Sequence, residues 1–296
     1  MLGDILAGLQ LYDRFKKKKP KNIGGTKDTL ITRFVALFES HGINRSQIPE
    51  FFEHDLDIYT CSKDEELLKK LNPQILTDAS TLFGINKDWL EGNSREIYKV
   101  KDFYKDPKKF ELYIKNIMGN VKTKHIFAYI LRGGQKRRTR SYDSLIVLTE
   151  PIGILNGREI YRYHLLGQWV TSYWKSRAFF TACCALLYKY QYAVLGYYVD
   201  TGWLVNIIDG EGLLKYDLND REGGLDLPSR GSWIVADFVE IPDEFLQGMD
   251  SEGGRANLLA IHKWLELSDR GYMRCFTDDE AHADVEQFFR DKIEQL

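Results

Sequence analysis

The chain has 296 residues, enough for two domains that each bury a core, and its 44% hydrophobic and 13% aromatic content excludes a disordered protein. A formal net charge of −2 gives no overall pull toward nucleic acid or membrane. Four cysteines, Cys61, Cys183, Cys184 and Cys275, show no metal-ligand spacing, so reduced thiols in a cytoplasmic protein are expected rather than a disulfide framework or zinc site.

Residues 1–25 read as a basic N-terminal arm. Leu2, Ile5, Leu6 and Leu9 recur at helical spacing, and Lys16, Lys17, Lys18 and Lys19 follow them. The charges come after the apolar stretch, the reverse of a secretory signal. No run reaches the roughly 20 apolar residues of a membrane span, so no membrane association is expected.

Residues 26–98 carry helical periodicity throughout. Phe34, Leu37 and Phe38 form an apolar stripe that Gly42 ends, the residue type favoured just past a helix C-terminus. Asn44 opens the next helix, with Gln47 placed to complete a capping box. Pro49 falls inside that helix and predicts that it is short or kinked. Pro73 stands near the start of a later helix carrying Ile75, Leu76, Ala79, Leu82 and Phe83, which Gly84 ends.

Two stretches carry a family resemblance. Residues 33–48 (RFVALFESHGINRSQI) resemble the first helix, turn and second-helix start of the lambda-repressor/Cro-like helix-turn-helix superfamily. Residues 79–92 (ASTLFGINKDWLEG) are similar to its last helix and exit, where an apolar-Gly-apolar step leads into a Trp-Leu pair. The resemblance implies a DNA-binding transcriptional regulator of repressor type whose third helix reads the major groove. On that basis Arg45 and Gln47 are candidate DNA contacts. The third-helix region departs from the pattern. Between Glu53 and Glu66 it has six carboxylates against Lys63 alone, and carboxylates repel phosphates. This opens a second reading, a protein-protein adaptor that keeps the helical scaffold without reading DNA.

Charge is segregated along the chain. Residues 25–98 hold 8 basic and 13 acidic side chains, whereas residues 99–140 hold 13 basic and 3 acidic. Residues 99–124 read as a basic connector helix containing Lys108 and Lys109, and the band ends in a loop with Arg137, Arg138 and Arg140. Together with Lys16 to Lys19 these are the candidate phosphate contacts to double-stranded DNA.

Residues 125–296 change to strand-like spacing. Strands are expected at Ile126 to Leu131 and Leu145 to Leu148, and a hairpin over residues 152–161 turns on Asn156-Gly157. A second hairpin is expected around Asp200-Thr-Gly202, and an edge strand over Trp233 to Val239. A buried helix lies between the hairpins, at Tyr173 to Tyr190, capped by Thr171 or Ser172. Two amphipathic helices close the chain, the last starting at Thr277-Asp-Asp-Glu280. The fold class is therefore α+β, a helical module followed by an antiparallel sheet packed on a buried helix, with C-terminal helices.

Aromatic and cationic residues around the buried helix define a candidate ligand pocket for a sensing domain: Arg158, Arg162, Tyr163, Trp169, Trp174, Arg177 and Trp203. An enzyme using that pocket, or the carboxylates of Asp209-Gly-Glu-Gly212, is the third reading. No cofactor or metal motif and no catalytic residue stands out. A homodimer through the acidic C-terminal segment is a further expectation.

Overall fold

The computed structural model describes residues 29–120, 126–134, 143–217, 224–249, 255–275 and 279–294. The first of these open a helical module. Helix α1 (Leu30–Ser40) is started by Thr29, whose side chain accepts from the Thr32 amide in a reciprocal capping box. It ends at Gly42 with φ +76°, the left-handed step expected there. Asn44 and Gln47 form the predicted capping box over a single 3₁₀ turn, which runs into α2 (Ile48–Phe51). Pro49 sits in the first turn of α2, where a missing N–H costs nothing, and the helix lasts four residues.

Short helices α3 (Ile58–Ser62) and α4 (Asp64–Lys70) follow. In α5 (Pro73–Phe83) Asn72 caps the Gln74 and Ile75 amides, Pro73 takes the first position, and Gly84 closes at φ +68°. The module ends with α6 (Lys87–Glu91), and α7 (Pro107–Asn120) comes after a connecting segment.

The remainder is a five-stranded sheet with helices on its faces. It comprises β1 (Phe127–Gly133), β2 (Ser144–Leu155), β3 (Arg158–Trp169), β4 (Ala193–Val199) and β5 (Ser229–Trp233), in the order β3-β2-β1-β4-β5. The Asn156-Gly157 turn has φ +52° and +76°, the positive pair that a tight two-residue hairpin requires. The sheet is mixed, which corrects the antiparallel expectation. Helix α8 (Trp174–Lys189) carries the chain from β3 across to β4, which lies parallel to β1.

Three local readings also change. Residues after Asp200 form α9 (Thr201–Ile208) instead of a hairpin strand, because the Asp200 carboxylate caps the Trp203 amide and starts a helix. The edge strand ends at Trp233, and residues 237–240 form α10 (Asp237–Glu240), followed by α11 (Pro242–Leu246). Neither Thr171 nor Ser172 caps α8; Tyr173 holds that position without a side-chain bond, and Thr171 instead donates to Asp143. Helices α12 (Ala256–Asp269) and α13 (Asp279–Glu294) match the two predicted C-terminal helices, while Thr277 lies outside the described residues.

Two apolar cores sandwich the sheet. On one face Phe34, Phe38, Phe52 and Phe83 of the helical module run continuously into Tyr129, Val147 and Leu165 of the strands. Phe38 meets Phe83 edge-on at 5.0 Å. On the other face α8 is buried from Ser176 to Leu187 against Phe110, Ile114, Trp264 and Phe289. The helical module is thus welded to the sheet through a shared core.

The segment between α6 and α7 crosses the β3 edge. Lys101 donates its amide to the Leu165 carbonyl at 2.9 Å and accepts from the Gly167 amide at 2.9 Å. Just upstream, the Gly210 carbonyl accepts from the Ile97 amide at 2.6 Å. Residues 209–212, read earlier as a candidate acidic site, therefore act as a clasp on this crossing segment. Gly210 has φ +74°, and a Cβ there would lie 2.5 Å from the Tyr98 carbonyl oxygen. Gly210→Ala is expected to cost at least about 2 kcal/mol through left-handed strain plus that clash. Urea denaturation of the variant checks it, and a loss under about 0.5 kcal/mol would show the clasp to be dispensable.

Candidate functional site

At the β3 edge, an open cleft of about 680 Å³ separates the helical module from the sheet and α7. Its walls come from the end of α5 and start of α6, the crossing segment at Tyr98 to Lys101, α7 at Tyr113 and Asn116, and strands β2 and β3 at Glu150 and Arg162 to Leu165. That volume lies in the range of small-molecule sites.

The cleft is organised by four side chains. Arg162 grips Glu150 with two parallel bonds, Nε to Oε2 and Nη2 to Oε1, both 2.7 Å. His164 Nε2 lies 2.7 Å from the same Glu150 Oε2, and its Nδ1 lies 2.7 Å from the Tyr113 hydroxyl. An ionised carboxylate only accepts, so Nε2–H donates to Glu150 and, in the neutral ring, Nδ1 accepts from the Tyr113 O–H. Burial pushes the Glu150 carboxyl upward, but the hydrogen bonds and charges of His164 and Arg162 outweigh it and hold it at about 2. Tyr113 is pushed up by burial and by the Glu150 charge, so it keeps its proton and serves as a donor.

The alignment depends on one irregularity. Next to the turn, Leu155 pairs with Arg158 and Gly153 with Ile160; a shift between Pro151 and Gly153 then sets Glu150 opposite Arg162. Without that shift Glu150 would face Tyr163, whose ring belongs to the core shared with the helical module.

Lys99 and Lys101 stand at the cleft and are exposed, and neither has a carboxylate partner among the described residues. The Lys101 ammonium lies 5.4 Å from the Tyr113 ring centroid. Lys87 is paired with Glu91 at 3.4 Å, and Asp88 adds one negative group. With Glu150 matched by Arg162, the balance of the unpaired groups is positive.

Of the seven predicted pocket residues, Arg162 and Tyr163 line the cleft. The others have different roles. Arg158 donates to the Gly42 carbonyl and stacks on Tyr216 at 4.7 Å, tying the hairpin to the helical module. Trp169 is fully buried against Phe180. Trp174 begins α8 and packs on Tyr173. Trp203 packs on the opposite core. Arg177 is 2% exposed and bonds three backbone carbonyls. Glu150, His164 and Tyr113 were not singled out, because only the folded register brings them together.

The predicted DNA contacts divide as well. Arg45 donates to the Cys61 carbonyl and to Asp64 at 2.6 Å, and Gln47 accepts the Asn44 amide at 3.0 Å, so both serve the module's own turns. Lys108 and Lys109 lie in the first turn of α7, with Lys109 over the Phe103 ring at 5.9 Å. Lys16 to Lys19 and Arg137, Arg138 and Arg140 lie outside the described residues.

Among the described residues no helix is long and apolar enough to cross a membrane, and no group of three acidic, His or Cys side chains is disposed to hold a metal ion. Protein-family models, curated proteins and solved structures all give no match to this chain.

Proposed function

We propose that this protein is a ligand-responsive transcriptional regulator that contacts DNA through its basic arm and connector and senses a small molecule in the β3-edge cleft. The observation that carries the reading is that the cleft walls belong to both parts, α5 and α6 on one side and the sheet and α7 on the other. A ligand there touches both at once, so its binding energy biases how the helical module is held. The order of helices, with a short second helix and a Trp89-Leu90 exit in α6, supports a helix-turn-helix scaffold.

The test is a fluorescence-polarisation titration of the full chain against duplex DNA at several salt concentrations. Affinity is expected to fall steeply with salt, and Lys108→Gln with Lys109→Gln to weaken binding about equally on all sequences and to flatten the salt slope by up to about two. Absence of binding at low salt ends the DNA part of the reading.

One observation favours the adaptor as a second reading. Around α3 the surface exposes Ile58 by 64% and Tyr59 by 59% beside Asp57, while Asp55 is paired with Lys70 and Asp64 with Arg45. Exposed apolar side chains among mostly paired charges suit a protein partner better than a phosphate backbone. Co-purification of such a partner, lost in Ile58→Asp and Tyr59→Ala, together with no DNA affinity would select this reading.

A further inference from the structure

Resting on the sensing role just given, the geometry points to a specific ligand chemistry: the cleft takes a small organic anion, a phosphate or carboxylate on a hydroxyl-rich body of sugar size. Three features carry this. Lys99 and Lys101 supply two cations without carboxylate partners among the described residues, against the single unpaired carboxylate of Asp88. Arg162 spends Nε and Nη2 on Glu150, and its Nη1 has no protein partner among the described residues, so a planar donor remains beside the lysines.

The walls are the third feature. Thr81 and Asn116 present a hydroxyl and an amide, while the apolar share, to which Ile85, Ile117 and Leu165 contribute, is the smaller one. A greasy or planar aromatic ligand would leave those polar groups unpaired, whereas a polyol satisfies them. The Glu150–Arg162 pair and the His164–Tyr113 link hold the donors in place before any ligand arrives, which lowers the entropic cost of binding. Since Glu150 neutralises Arg162, the anionic head is met by Lys99 and Lys101, and Arg162 contributes direction rather than net charge.

The experiment is isothermal titration calorimetry on the full chain with four probes: glucose 6-phosphate, gluconate, glucose and inorganic phosphate. Glucose 6-phosphate or gluconate is expected to bind at least about tenfold more tightly than glucose and than inorganic phosphate, and the preferred one of the two identifies the head group. The double variant Lys99→Gln, Lys101→Gln, both at exposed positions and therefore compatible with folding, is expected to lose about tenfold or more. Asp88→Asn is expected to tighten binding.

Equal binding of glucose, no heat with any anion up to about 10 mM, or unchanged affinity in the double lysine variant overturns the assignment. Because no DNA is present, failure here leaves the polarisation result standing, and failure of DNA binding leaves the calorimetric result standing.

Discussion

Acidification from about pH 7.5 to about pH 4.5 is expected to remove 2–3 kcal/mol of folding stability through His41 alone. His41 follows α1 directly, is fully buried, and lies between Phe83 at 4.3 Å and Tyr163 at 5.1 Å. It is thus part of the weld between the helical module and the sheet. Its Nδ1 lies 2.7 Å from the Leu37 carbonyl, which can only accept, so the proton of the neutral ring sits on Nδ1. Nε2 is buried without a partner. Protonation would create an N–H cation with nothing to receive it, and burial accordingly lowers the group to about 4 despite the opposing Leu37 bond.

Between about 6.5 and 4 the unfolded chain therefore binds a proton that the folded chain refuses. The stabilisation is fully present above pH 6.5 and declines as pH falls through that window. Glu150 acts lower down, its contribution being present above about 4.5 and lost as pH drops toward 2, so a measurement near pH 4.5 reports mainly His41. Urea unfolding at the two pH values checks the effect. His41→Phe keeps a ring between Phe83 and Tyr163, and the Leu37 carbonyl retains its bond from Ser40 at 2.7 Å. That variant should show little pH dependence over the same interval; an unchanged slope would place the titrating group elsewhere.

Replacing Arg177 is expected to have a comparable or larger effect. The residue sits in the first turn of α8 with its guanidinium inside the protein, donating to the carbonyls of Thr171, Phe245 and Gln247 and lying 5.1 Å over the Phe238 ring. It ties the start of the central helix to α11, more than 60 residues later in sequence. Arg177→Met fills much of the volume but strands three carbonyls, costing about 3–5 kcal/mol and lowering the melting temperature by about 10 °C. Arg177→Lys should rescue little, because a single ammonium cannot span three acceptors held by a planar fork. Amide exchange over residues 243–247 distinguishes this account from general weakening, since those amides should lose protection first.

Much of the fold was legible because its signals are local. Gly42, Pro73, Gly84 and the Asn156-Gly157 turn each do what their side-chain chemistry dictates, independent of distant packing. The misread segment after Asp200 shows where that fails. Its residues Trp203 to Ile208 are apolar and β-branched enough for a strand, and the Asp200 cap together with burial of Leu204 and Ile207 decides for a helix. The mixed sheet was hidden for a related reason, since strand direction after a crossover is set by where α8 packs.

The cleft was least legible. Arg162 and Tyr163 stood out by residue type, but Glu150, His164 and Tyr113 meet only because the hairpin slips by one residue at Pro151–Gly153 and because α7 lies against the same face. A slip of that kind leaves no mark in hydrophobic alternation. Arg177 and Trp169 were misassigned in the opposite sense. Cationic and aromatic side chains resemble binding groups in a sequence, and here they are structural.

The crossing segment at Lys101 has a consequence for self-association. By occupying the Leu165 carbonyl and the Gly167 amide it covers one end of the β3 border, while β5, five residues long, has no further strand beside it among the described residues. A strand from another molecule is thereby kept from pairing with β3 over residues 165–167, and the short β5 offers few backbone groups to template one.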